Sequence, residues 1–144
     1  MFDLMQRSKI VDRFEIDIKF QFPQVDRYNV LIFGSFLTEK FHESSDIDVG
    51  IFTLDNRLMS QLFLFVLDYF KELDIPCDVV KMYMDYDQYI NTSIILYHNR
   101  TLTEYCPNEL IQYTKKMIDL YGQNPMDTVR QRIVQEVALH DFDR

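Results

Sequence analysis

Two aspartates separated by one residue, Asp46 and Asp48, are the side chains of this chain best placed to do chemistry together. They open the segment Asp46 to Phe52 (DIDVGIF), whose β-branched and apolar content suits a strand. In a strand, residues i and i+2 project to one face, so the two carboxylates stand together while Ile47 turns the other way. Such a pair repels unless a cation neutralises it. Hard oxygen ligands of this kind suit Mg²⁺ or Mn²⁺, above all where substrate phosphates supply further ligands. Thirty residues after Asp48 comes Asp78, followed by Val79, Val80 and Met82, in a stretch that reads as a strand at least half buried. An acid among such neighbours needs a partner. A two-ion centre for phosphoryl or nucleotidyl transfer takes about three carboxylates, with its ions about 3.5–4 Å apart. Upstream, the run Asn29 to Phe33 (NVLIF) stops at Gly34-Ser35, with ten residues between Ser35 and Asp46. The chain holds only three glycines, and Gly34 and Gly50 flank this motif. A glycine ahead of a serine at a strand end lets backbone approach a phosphate, to which the Ser35 hydroxyl can donate.

Taken singly, these signals are weak. A lone Asp-x-Asp more often marks a solvated turn, Gly-Ser occurs widely, and a lone acid such as Asp78 is commonly a strand-end surface group. Their conjunction in a strand–loop–strand setting, with a third acid on a later strand, is far more specific.

The elements around these residues alternate between helix and strand, which predicts an α/β or α+β sheet domain. Ile10, Phe14, Ile18 and Phe22 recur at helical spacing, although Phe14 to Phe22 also alternates like a strand; the expectation is a helix ended by Pro23. A turn and short helix are expected from Ser35 to about Phe41. Arg57 to Leu73 is the clearest helix, with Leu58, Leu62, Phe65, Val66, Tyr69 and Leu73 on one face and Asp55 or Asn56 as its cap. A strand over Cys77 to Met82, a helix from Asp87 to about Tyr97, a short strand over Thr101 to Tyr105 and a helix from Asn108 to Tyr121 follow. Gly122 suits the end of that helix. Asn124 and Pro125 suit the start of a last one, lined by Met126, Val129, Ile133 and Val137. The whole, residues 1–144, is expected to be one domain, with its C-terminal helices (about 108–139) packed on it or extending from it.

Bulk properties narrow the partners. Apolar residues make up 47% of the chain, enough for a core without disulfides. The two cysteines, Cys77 and Cys106, form no Cys-x-x-Cys pair, which fits a reduced cytoplasmic setting. Charged residues from Asp3 to Arg13 predict no signal peptide, and the longest apolar run, Leu62 to Leu67, is too short for a bilayer. The net charge is −8, without a Lys/Arg cluster, which argues against a nucleic-acid substrate. A basic protein partner, or a small substrate held through metal, fits that charge better, and the same charge also serves solubility. Tyr83, Tyr86 and Tyr89 lie just past the Asp78 strand, where self-modification is conceivable, but surface covering or an interface is the simpler reading.

The residues Leu31 to Ser35 (LIFGS), Ser45 to Gly50 (SDIDVG) and Asp78-Val-Val together resemble the DNA polymerase β-like nucleotidyltransferase superfamily, and most closely its minimal nucleotidyltransferases. The resemblance implies a small mixed β-sheet flanked by helices, the nucleotidyltransferase fold, and transfer of a nucleoside monophosphate from a nucleoside triphosphate, with two Mg²⁺ or Mn²⁺ ions. By matching positions it implies that Asp46 and Asp48 bind both ions, that Asp78 binds the ion beside the acceptor, and that Gly34 and Ser35 hold the triphosphate. Many minimal members resemble antitoxins paired with a small helical HEPN-type ribonuclease toxin, some of which add AMP from ATP to a toxin tyrosine. One departure stands out. Members often read Gly-Ser-x-Ala-Arg-Gly, whereas this loop reads Gly34-Ser35-Phe36-Leu37-Thr38-Glu39. The usual cation falls at Thr38, so Lys40, or else His42, is expected to replace it near the nucleotide. The leading expectation is an antitoxin enzyme that adenylylates a protein hydroxyl, in association with a toxin or with itself. One competitor is a binding module that masks a basic toxin surface. Another is a small-molecule nucleotidyltransferase of the antibiotic-modifying type, for which the chain has little room.

Overall fold

The computed structural model describes residues 2–42, 46–84 and 88–120. Along the chain run α1 (Leu4–Gln21), β1 (Asn29–Phe33), β2 (Ile47–Phe52), α2 (Asn56–Glu72), β3 (Cys77–Lys81), α3 (Gln88–Tyr97), β4 (Arg100–Thr101) and α4 (Asn108–Leu120). The strands form one mixed sheet in the order β3-β2-β1-β4. β1 lies antiparallel to both β2 and β4, while β2 and β3 run parallel, joined through α2. Four helices and a four-stranded mixed sheet among the described residues make an α+β fold, the class that the sequence predicts. Among the described residues no helix is long and apolar enough to cross a membrane.

The chain divides into two compact units. The first comprises Met1–Met82 with His98–Tyr105 and carries the whole sheet together with α1 and α2. α1 begins on a capping box: the Asp3 carboxylate accepts the Gln6 amide and the Gln6 side chain accepts the Asp3 amide, each at 2.8 Å. The helical reading of this segment holds, and burial shows why helix prevails over strand. Val11, Phe14 and Ile18 are fully buried, whereas Ile16 and Phe20, which a strand would have put beside Phe14, stay exposed. The inward stripe differs from the expected one in using Val11 in place of Ile10 and in including Arg7. Phe14 meets Phe70 and Tyr69 of α2 at ring-centroid distances of 4.8 and 5.1 Å. Asp55, rather than Asn56, caps α2 by accepting the amides of Arg57 and Leu58.

The expected short helix after Ser35 is absent, and residues 34–40 form successive turns. The Thr38 amide and hydroxyl both donate to the Ser35 carbonyl, while the Phe36 and Thr38 carbonyls accept from Arg7. These side chains take the acceptors that a helix would have used. The expected strand over Thr101 to Tyr105 shortens to Arg100–Thr101. Beyond it, the Thr103 hydroxyl donates to the Tyr28 carbonyl, and Asn29 Oδ1 accepts both the Thr101 hydroxyl and the Thr103 amide, in place of a continued ladder.

The second unit comprises Tyr83–Tyr97 and Cys106–Arg144. In it α3 and α4 pack together, with Ile94 and Met117 buried. The expected last helix lies outside the described residues.

The register of α1 is testable through stability. Phe14→Ala removes a buried ring and is expected to lower unfolding free energy by about 3–5 kcal/mol. Phe20→Ala, on the exposed side, is expected to change it by no more than about 0.5 kcal/mol. Urea denaturation of the two variants measures both, and equal losses would contradict this helical register.

Candidate active site

Parallel pairing of β2 with β3 sets the geometry. The register places Ile47 opposite Cys77 and Asp48 opposite Asp78. Residues opposite one another in a parallel pair share a face, so the Asp48 and Asp78 carboxylates stand side by side. Asp46, two residues before Asp48, precedes the strand, and between them Ile47 is fully buried, with its amide donating to the Pro76 carbonyl at 2.8 Å. The core thus grips Ile47 while the acids flanking it stay half-buried, and Asp78 is exposed. Exposure of Asp78 corrects the expectation of an acid enclosed in its strand: β3 is an edge strand and its other residues are only half covered. One carboxylate oxygen from each of Asp46, Asp48 and Asp78 lies within 4.8 Å of the others. Two unit charges about 4 Å apart repel by roughly 4 kcal/mol at an effective dielectric of about 20. Three converging carboxylates, oxygen donors only and open to solvent on one side, fit a divalent cation of the Mg²⁺ or Mn²⁺ kind.

Gly34 makes room for this cluster. It follows Phe33, which pairs with Asp48 across the antiparallel β1–β2 ladder, and its φ is +74°. A Cβ at Gly34 would fall 2.0 Å from Asp48 Oδ2. The glycine is therefore required by the acid beside it as well as by the turn, a reason that a close approach of phosphate does not supply. Asn99 holds the same spot from the other side, with Nδ2 donating to the Gly34 carbonyl at 2.8 Å and its amide donating to the Ile32 carbonyl. Ser35 is half-buried in the first turn, directly after Gly34. Lys40 is exposed beyond the turns, its amide donating to Thr38 Oγ1 at 3.2 Å, and His42 is exposed as well. Tyr83 is half-buried in the second unit, and Tyr86 lies outside the described residues.

The cluster leaves its mark on Cys77. Burial first, then the charges of Asp48, Asp78 and Asp46, push its thiol from 9.0 to about 12. A thiol held so far toward its protonated form is a poor nucleophile at neutral pH.

Two residues at this site escaped the sequence reading. Arg7 carries a signal that was there to be used: it falls at helical spacing with Val11, Phe14 and Ile18, and a cation on an apolar stripe needs a reason. Asn99 carries none, because its partners are backbone atoms far away in the chain.

A strand pair with this acid cluster beneath a glycine turn is the framework of a nucleotidyl-transferring sheet, and the family comparison agrees. The chain belongs to the polymerase beta nucleotidyltransferase family, whose model matches residues 24–105, more than half its length. No curated protein matches it. Among solved structures, one described as a toxin-antitoxin MntA-HpeT mutant shares 19% identity with it, covers 92% of this chain and 98% of its own, and has a TM-score of 0.48.

Two outcomes follow from this geometry. Gly34→Ala is expected to destabilise the fold by more than about 1 kcal/mol, because alanine resists a positive φ. It should also displace Asp48, so calorimetric titration should show Mn²⁺ affinity reduced; wild-type affinity in a folded Gly34→Ala protein would contradict the packing described. At pH 8 the Cys77 thiolate fraction is roughly one in ten thousand, against roughly one in ten for an ordinary thiol. A disulfide reagent is therefore expected to label the exposed Cys106 well before Cys77, and the reverse order by peptide mapping would contradict the raised Cys77 pKa.

Proposed function

We propose that the chain transfers AMP from ATP to a hydroxyl of a partner protein, a tyrosine of a small helical HEPN-type toxin, and so acts as an antitoxin. The observation that carries this reading is the convergence of Asp46, Asp48 and Asp78 beside the Gly34 turn, in a chain of the polymerase beta nucleotidyltransferase family. The antitoxin role and the toxin partner rest on the resemblance to minimal nucleotidyltransferases and on the acidic charge of −8.

In this reading Asp46 and Asp48 bind both divalent ions and Asp78 binds the one nearer the acceptor. When bound, those ions neutralise the triphosphate and lower the pKa of the acceptor hydroxyl. Gly34 and Ser35 hold the triphosphate at the head of the turns, and Lys40 lies on the same loop as a further contact to it. The acceptor oxygen forms its bond to the α-phosphorus as the bond to the β-phosphate oxygen breaks, releasing pyrophosphate and a proton. Positioning and charge neutralisation supply the rate, since little covalent work falls to the protein.

A second reading has its own support. Thr38 and Glu39 supply no cation to the loop, and an acidic protein can mask a basic toxin surface without chemistry.

The two readings separate on one assay. The wild-type protein, ATP and Mg²⁺ are incubated with the product of the neighbouring gene, followed by intact-mass measurement. A catalyst is expected to act at well below one copy per toxin, to add AMP to the toxin, and to lose both activities in Asp48→Asn. ATP-independent protection by Asp48→Asn at one copy per toxin, without a change in mass, would overturn the enzymatic reading.

A further inference from the structure

We infer that Arg7 of α1 is a positioning residue for nucleotide binding: it holds the Gly34–Thr38 turns in a form that turns their carbonyl oxygens away from an incoming triphosphate. The inference rests on the nucleotidyltransferase reading above and goes beyond it, since nothing in the sequence motif involves α1.

The side chain of Arg7 is only 6% exposed. Its Nη1 donates to the Phe36 carbonyl at 2.6 Å and to the Thr38 carbonyl at 2.9 Å, and its Nε donates to the Phe2 carbonyl at 3.3 Å. The guanidinium carbon sits 4.3 Å from the centre of the Phe41 ring, which packs edge-on against Phe36. Arg13, Lys19 and Arg100 pair with carboxylates, whereas the contacts of Arg7 are carbonyl oxygens and a ring. A buried guanidinium is costly unless its donors are satisfied. Here carbonyl dipoles and a ring face compensate it, and each exists at that place only because the turns fold as they do. Lysine could not reproduce this arrangement, because it lacks the Nε that reaches the Phe2 carbonyl and the planar guanidinium that lies over the Phe41 ring while one nitrogen takes two carbonyls.

The consequence concerns oxygen atoms. A loop that takes an anion must offer amides and withhold carbonyls. The Gly34 carbonyl is held by Asn99, the Ser35 carbonyl by Thr38, and the Phe36 and Thr38 carbonyls by Arg7. Four acceptors next to the acid cluster are thus engaged from the protein side, two of them by one side chain. Without Arg7, the Phe36 oxygen loses its donor and the Thr38 oxygen keeps only the long bond from the Phe41 amide at 3.5 Å, so both can turn toward the triphosphate and repel it.

The test compares Arg7→Met, which keeps much of the volume, with wild type in three measurements. Binding of Mn²⁺ alone, which needs only the carboxylates, is expected to stay within about twofold, whereas the Kd for ATP with Mg²⁺ rises about tenfold or more, as for loss of charge-assisted contacts. In turnover, KM for ATP is expected to rise while kcat holds. Hydrogen exchange at the Thr38 amide, bonded to Ser35, is expected to quicken while the β1 amides keep their protection. A merely structural role would lower Mn²⁺ affinity, ATP affinity and β1 protection together, and that pattern overturns the inference. Unchanged ATP affinity with unchanged Thr38 exchange overturns it too. Should the wild-type protein bind no ATP, the nucleotidyltransferase reading fails, and Thr38 exchange still decides whether Arg7 holds the turns. If Arg7→Met does not fold, Arg7→Lys, which keeps the charge without the planar guanidinium, is read in the same assays, and wild-type behaviour in it overturns the inference.

Discussion

Backbone hydrogen bonding between two parallel strands brings mutually repelling charges together, and the remainder of the site is arranged around that constraint. The β2–β3 register puts Asp48 opposite Asp78, and Asp46 joins them from the residue before Ile47. Nothing in the carboxylates favours this proximity. The apolar residues interleaved with them enforce it: Ile47, Val49 and Ile51 are fully buried, so a slip of one residue would press the Asp48 carboxylate into the core. Core packing thus stabilises an electrostatic arrangement that a bound cation would relieve. Gly34 belongs to the same arrangement, because any side chain there would occupy the space taken by the Asp48 carboxylate.

The loop facing this cluster solves a complementary problem. Five turn residues next to concentrated negative charge would leave carbonyl oxygens exposed to one another and to any bound phosphate. Asn99, Thr38 and Arg7 engage four of those oxygens, at Gly34, Ser35, Phe36 and Thr38. The cation that the loop lacks at Thr38 has a counterpart in the first helix, placed behind the turns rather than among them. α1 is tied to the sheet elsewhere as well, by the ion pairs of Arg100 with Asp12 and Glu15. The first helix therefore positions the site as well as covering the sheet.

Much of this was legible in the sequence, for physical reasons that differ from residue to residue. The acids and Gly34 could be read because their chemistry depends on local spacing: i and i+2 share a strand face, and a glycine at a strand end implies a turn. α1 could be read because helical periodicity persists where strand alternation competes with it. The segment after Ser35 forms turns instead of the expected short helix because the groups that hold it, Arg7 above all, lie far away in sequence. The strand expected over Thr101 to Tyr105 failed similarly, since Tyr28 and Asn29 supply the hydrogen bonds that end it. Local pattern revealed what local geometry sets, and missed what a side chain from another element imposes.

The central claim is that Asp46, Asp48 and Asp78 hold divalent metal against a nucleotide at the Gly34 turn. It is tested most directly by diffraction from crystals grown with Mn²⁺ and a non-hydrolysable ATP analogue, with data collected at the manganese edge. The account predicts anomalous density bounded by those three carboxylates, with the triphosphate reaching from it to the amides after Gly34. Manganese located elsewhere on the protein, with the three carboxylates in contact with water alone and the analogue absent from the turn, would contradict it.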